Sequence, residues 1–171
     1  MSTAVIVGVD EYLATSYRPD CDYVEGEVLE RNVGTKDHSK LQREVLKWFL
    51  DRRELRLAVF PEQRIRVAPG RFRIPDVCVV PLPEPDEQVF TRPPYICIEV
   101  LSPEDSFPKI QDRFDDYLAM GVPNIWVLDP PSRRAWSIAR EGHFAALDGI
   151  LRTTDGRITL PIADLFSESG A

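Results

Sequence analysis

The chain has 171 residues and a formal net charge of −7, with 43% hydrophobic and 29% charged residues. That is the composition of a globular domain able to bury its own core without staples. The acidic balance argues against a dedicated nucleic-acid binder, no window approaches 18 apolar residues, and the three cysteines, Cys21, Cys78 and Cys97, have neither zinc spacing nor the even count of a disulfide framework.

Met1 to Gly8 lacks the basic flank and long apolar core of a leader. Residues 1–171 are therefore expected to form one cytoplasmic domain. Charge is uneven along it. Residues 1–30 carry one Arg against seven acids, residues 31–73 twelve Lys or Arg against five acids, and the remainder eight against sixteen. A solvated helix face plus an edge strand would account for the basic middle, and so would a phosphate-facing patch.

Asp10 to Tyr17 reads as a short helix closed before Pro19, which disfavours helical geometry in its predecessor. Tyr23 to Arg31 reads as a hairpin around Gly26, with Glu27 just past the turn. A helix is expected from about Asp37 to Arg52, capped by Thr35 or Asp37, with Leu41, Val45, Trp48 and Phe49 on one face. His38 shares that face, where a lone ring more often serves as cap or packing than in chemistry. Arg56 to Val67 reads as one strand, and Ala68-Pro69-Gly70 as the turn leading to the next.

Two apolar runs follow, Ile74-Pro75-Asp76-Val77-Cys78-Val79-Val80 and Tyr95-Ile96-Cys97-Ile98-Glu99-Val100-Leu101. Both are apolar on odd and even positions, the pattern of strands covered on both faces. Each carries a single carboxylate, and an ionised carboxylate buried there costs several kcal/mol or more unless paired or bound to a cation. Pairing with a local Arg would explain either one alone. Two on successive strands point to a shared site, for which Mg²⁺ or Mn²⁺ with oxygen ligands is the natural guest.

Pro81 to Pro94 reads as a loop. A helix is expected from about Pro108 to Met120, stopped by Gly121-Val122-Pro123, with Lys109 and Arg113 stacked along the edge of its apolar arc. Because this helix leaves the Glu99 strand, a cation in its first turns can return to the end of the sheet. Asn124 to Asp129 and Arg134 to Ala139 read as strands, followed by a hairpin at Glu141-Gly142 and a closing segment, Leu160 to Phe166.

Pro75-Asp76, Ile98-Glu99-Val100-Leu101-Ser102-Pro103, Asp116-Tyr117-Leu118 through Gly121-Val122-Pro123, and Trp126-Val127-Leu128-Asp129-Pro130 together resemble the bacterial Uma-two family. That family is assigned to restriction endonucleases within the PD-(D/E)XK nuclease superfamily. The likeness runs back through Tyr23 to Glu27 and His38, and so covers nearly the whole chain. It implies an α/β fold with a restriction-endonuclease-like mixed central sheet, flanking helices and an N-terminal hairpin. It also implies a metal on Asp76, Glu99 and the carbonyl of Val100, and hydrolysis of nucleic acid, DNA above RNA.

The superfamily Lys two residues after the Glu is Leu101 here. The family moves that cation to the following helix, where this chain has Arg113, with Lys109 one turn before. Glu27 matches the supporting acidic position, and His38 lies nearby. Nucleic-acid contact is expected through Lys36, Lys40, Arg64, Arg66, Arg71 and Arg73, and a homodimer would suit cutting both strands. The alternative is a nuclease-fold binding module that has lost turnover.

Overall fold

The computed structural model describes residues 5–32 and 34–167. It begins with helix α1 (Val9–Ala14) and a hairpin of β1 (Cys21–Val24) and β2 (Glu27–Glu30). The turn residues Glu25 and Gly26 both have positive φ, 48° and 97°, as a two-residue hairpin turn of the mirror-image type requires. Helix α2 (Lys36–Leu50) starts where the Thr35 side chain accepts from His38 N–H, so Thr35 rather than Asp37 is the cap.

The stretch expected as one strand is two: β3 (Leu57–Pro61) and β4 (Ile65–Ala68), in different sheets. Pro61 cannot continue a ladder as donor and Glu62 has φ 49°, so the chain leaves one sheet and enters another. Strand β5 (Arg71–Arg73) follows, then β6 (Val77–Pro81), β7 (Ile96–Val100) and α3 (Phe107–Met120). Gly121, at φ 94°, ends α3: its N–H reaches Leu118 O, and Val122 N–H reaches Tyr117 O, a Schellman cap. The chain closes with β8 (Asn124–Asp129), β9 (Arg134–Ala139), β10 (Gly142–Ala145), β11 (Ile150–Arg152), β12 (Thr159–Pro161) and α4 (Ile162–Phe166).

The main sheet has the order β10-β9-β8-β7-β6-β3, with β7 and β8 parallel and the other pairs antiparallel. Helix α3 is the crossover that a parallel pair needs. The hairpin is not an isolated appendage, since β1 and β2 join β5 and β4 in a second sheet, β2-β1-β5-β4. Alternation along the main sheet sends Val77, Val79, Ile96 and Ile98 to a core shared with Leu41, Val45, Trp48 and Phe49 of α2. Cys78, Val80 and Cys97 go to the opposite core, with Phe114 and Tyr117 of α3. Both apolar runs are thus covered on both faces, as their pattern predicts. All three cysteines are buried and unpaired. Among the described residues no helix is long and apolar enough to cross a membrane.

Candidate active site

Strands β6 and β7 pair with Val77 opposite Ile98, and that antiparallel register carries Asp76 opposite Glu99. Glu99 meets α3, and Asp76, one residue before β6, meets His38 at the start of α2 and Arg31 after β2. Both carboxylates are 4% exposed. Asp76 Oδ2 accepts from Val100 N at 2.8 Å and lies 3.3 Å from His38 Nε2, while Oδ1 accepts from Arg31 Nη2 at 2.8 Å. Glu99 Oε1 accepts from the Tyr117 hydroxyl at 2.5 Å, and Oε2 from Arg113 Nη1 at 2.9 Å.

Arg113 is the hub of a longer chain of charges. Its Nε donates to Asp22 Oδ2 at 3.0 Å, the same oxygen takes Arg73 Nη1 at 3.1 Å, and Arg73 Nε reaches Asp116 at 2.6 Å. Arg71 holds Asp116 through two nitrogens. Carboxylate and guanidinium alternate from Glu99 to Arg71, so each buried charge touches its opposite, the condition for tolerating any of them.

The two facing carboxylates are driven apart in acidity. Burial works to raise Asp76, but the hydrogen bond from His38, the charge of Arg31 and the Val100 N–H prevail, and its carboxyl is held below the usual range. Burial pushes Glu99 up to about 8 against the pull of Arg113. The hydrogen bond to Asp76 raises the His38 imidazole against its own burial. Divergent environments for paired titratable groups are a mark of acid-base sites.

Beside Asp76 opens a pocket of about 30 Å³, bordered by Arg31, Asn32, His38, Val100, Lys109 and Arg113 among others. That is room for an ion or roughly one or two waters. Asn32 Nδ2 donates to Ser102 Oγ and to Asp105, and Asp105 also accepts from Ser102 N, which ties the end of the hairpin to the turn after β7.

The profile of the Uma2 family, described as "Putative restriction endonuclease", matches residues 9–160. The chain belongs to the Uma2 family. A crystal structure from Anabaena variabilis ATCC 29413, described as "a putative nuclease belonging to DUF820", superposes with a TM-score of 0.79 over 94% of this chain and 98% of that one, at 23% identity. At that identity the likeness is one of fold. No curated protein matches.

The residues expected at the site fare differently in this Uma2 chain. Asp76, Glu99, Val100, His38, Lys109 and Arg113 come together around the pocket or immediately behind it. Glu27 does not. It is exposed at the turn end of β2, four residues and about 13 Å of strand from Arg31, and the acid that the hairpin does send inward is Asp22. Of the expected phosphate contacts, Arg73 is 3% exposed and spent on Asp22 and Asp116, Arg71 is held by Asp116, and Arg64 pairs with Asp20 at 2.6 Å with its guanidinium over Tyr12. Their charge is taken up by acids of the chain itself. Lys36, Lys40 and Arg66 are exposed.

Asp22, Arg31 and Tyr117 went unread. Asp22 carried a signal, an acid flanked by Cys21 and Tyr23 in a buried strand. Arg31 carried none, because nothing local distinguishes it from the other basic residues after it.

The donor set bears on the expected cation. Among the described residues no three His, Cys, Asp or Glu side chains form a ready cage. Mg²⁺, however, characteristically takes one or two carboxylates and keeps its waters. Two hard carboxylates, one of them carrying Arg31 as a stand-in cation, fit that kind of site. As arranged, every oxygen of Asp76 and Glu99 already has a donor.

Proposed function

We propose that the chain is a divalent-cation-dependent nuclease that hydrolyses phosphodiesters, with DNA as substrate on the strength of the family. The observation that carries this reading is the register of β6 and β7, which sets Asp76 against Glu99 beside a small polar pocket rimmed by cations. Asp76, Glu99 and the Val100 carbonyl would hold Mg²⁺ or Mn²⁺, whose contribution is to polarise a phosphoryl oxygen and acidify a bound water.

The chain's own residues supply the rest. Arg113, fixed by two carboxylates, presents a preoriented positive charge and cannot take a proton at neutral pH. Lys109 reaches the pocket from the exposed first turn of α3, its Nζ now on Glu30 O at 3.1 Å, where it can meet a phosphate. Asp76 pushes His38 toward its protonated form, which suits donating a proton to a leaving oxygen more than drawing one from water. Two copies of the chain would match the two strands of a duplex.

A binding module without turnover is the second reading, favoured by the guanidinium groups that already neutralise both carboxylates. Nicking of supercoiled plasmid separates the two. The nuclease reading expects nicks with Mn²⁺ or Mg²⁺, none with EDTA and none by Asp76→Asn. Duplex binding with no nicking under any cation would favour the module.

A further inference from the structure

We infer that Arg31 is an exchangeable counter-cation of Asp76: a divalent ion and the guanidinium compete for Oδ1, and the displaced guanidinium becomes a ligand for the substrate's phosphate. This rests on the proposed reading of Asp76 as a cation ligand.

The two oxygens of Asp76 are held unequally. Oδ2 is tied to the main chain at Val100 N and to His38, contacts that fix the carboxylate in the fold. Oδ1 has Arg31 Nη2 at 2.8 Å. Reaching that oxygen from the pocket therefore means moving one side chain, and Arg31 itself borders the pocket.

Arg31 is held more loosely than Arg73 or Arg113, the other guanidiniums of the charge network. Arg73 bonds two carboxylates through two nitrogens, and Arg113 does the same. Arg31 has one close carboxylate, a distant approach of 3.7 Å to Glu62, itself half exposed, and an Nε that finds no acceptor among the described residues although its side chain is only 8% exposed. A buried N–H without an acceptor is an unmet demand for one. A phosphate oxygen would meet it, and the guanidinium fork matches two such oxygens.

The backbone favours rotation of the side chain alone. Arg31 directly follows β2, and its neighbour Asn32 is bonded to Ser102 and Asp105, so the main chain stays pinned while the side chain swings. The electrostatics favour a coupled exchange. With Arg31 on Asp76 the pair is neutral. A divalent ion in its place leaves one net positive charge on the carboxylate and frees another beside Lys109 and Arg113. Cation binding should then strengthen phosphate binding, and phosphate should strengthen cation binding by the same factor.

The test is Mn²⁺ titration by calorimetry without nucleic acid, on the parent, Arg31→Met and Arg31→Lys. Removing the competitor from a buried carboxylate should tighten Mn²⁺ roughly tenfold or more in Arg31→Met, with Arg31→Lys between the two. Unchanged or weaker binding by Arg31→Met beside a parent that binds Mn²⁺ overturns the exchange and leaves the nuclease reading standing. Absence of Mn²⁺ binding in parent and variant alike overturns both the exchange and the cation requirement, and plasmid cleavage persisting in EDTA registers the second failure separately. If Arg31→Met does not fold, the parent decides. Mg²⁺ should shift the Arg31 Nε–H resonance in a nitrogen-15 spectrum and leave that of Arg73 in place, and a still Arg31 signal at saturating Mg²⁺ overturns the proposal.

Discussion

The Tyr117 hydroxyl donates to Glu99 Oε1 at 2.5 Å, one turn of α3 beyond Arg113, which holds the other oxygen of the same carboxylate. One helix thus clamps a buried acid from two sides, and the spacing of four residues makes that possible. Tyr117→Phe leaves Oε1 of a buried carboxylate without that donor. The expected cost is about 1–3 kcal/mol, seen as a melting temperature lower by several degrees. A variant as stable as the parent would show that the hydroxyl contributes nothing net.

Glu99 and Asp76 should respond oppositely to neutralisation. Burial raises the Glu99 carboxyl from an ordinary 4.5 to about 8. A group raised in this way keeps its proton in the folded state while the unfolded chain has lost it. Its stabilising effect is then complete below about pH 4.5 and drains away as the pH climbs toward 8. Glu99→Gln has no proton to lose, so in EDTA its urea midpoint should gain on the parent's as the pH rises through that window. Asp76→Asn instead strands Arg31 without its partner and should cost about 3–5 kcal/mol. Parallel curves for parent and Glu99→Gln would mean that Arg113 keeps Glu99 ionised throughout.

The sequence carried the main sheet because two fully apolar runs leave a strand no exposed face, and it carried the carboxylate pair because each acid interrupts such a run. It could not show where Arg56 to Val67 divides, since apolar residues continue on both sides of the break and only Pro61 and the left-handed Glu62 mark it. The site was read as two acids in need of a cation. The charges around them, Arg31 at 45 residues from Asp76 and Asp22 at 91 from Arg113, are brought in only by tertiary packing, and no local pattern encodes that. The basic segment misled for the same reason: Arg71 and Arg73 balance Asp22 and Asp116, a pairing visible only once β5 lies beside β1.

Arg113 stands between Glu99 and Asp22, so its removal takes away both a preoriented charge and one partner of each of two buried acids. Arg113→Ala should lower cleavage roughly 10²-fold or more, the scale of losing one preorganised donor, and should also lower the melting temperature. A single ammonium cannot reproduce the fork that spans both carboxylates, so Arg113→Lys should fall between parent and Ala in both measures. Lys109→Ala removes an exposed charge and should weaken substrate binding with little change in stability. Cleavage by Arg113→Ala at the parental rate, with Lys109→Ala inactive, would move the working cation one turn toward the start of α3.

The last expectation concerns where nucleic acid lies. Three of the six basic residues singled out from sequence are paired with acids of this chain, whereas Lys36 and Lys40 project together from the first turns of α2, on a different face of the helix from the pocket residue His38, and Arg66 is exposed on β4. Each side chain that neutralises a phosphate releases counterions and adds about 0.9 to the slope of log affinity against log salt on duplex DNA. Lys36→Ala with Lys40→Ala should therefore flatten that slope by roughly 2, while the melting temperature stays close to the parent's because both side chains are exposed. Arg73→Ala should do the reverse, lowering stability by taking one of its two guanidiniums from each of Asp22 and Asp116 and leaving the slope of the folded protein unchanged. Fluorescence anisotropy of a labelled duplex across salt concentrations, with Ca²⁺ in place of Mg²⁺ to prevent cutting, reads the slopes. A slope that drops for Arg73→Ala and holds for the double Lys variant would return the interface to the second sheet and remove the start of α2 from the path of the nucleic acid.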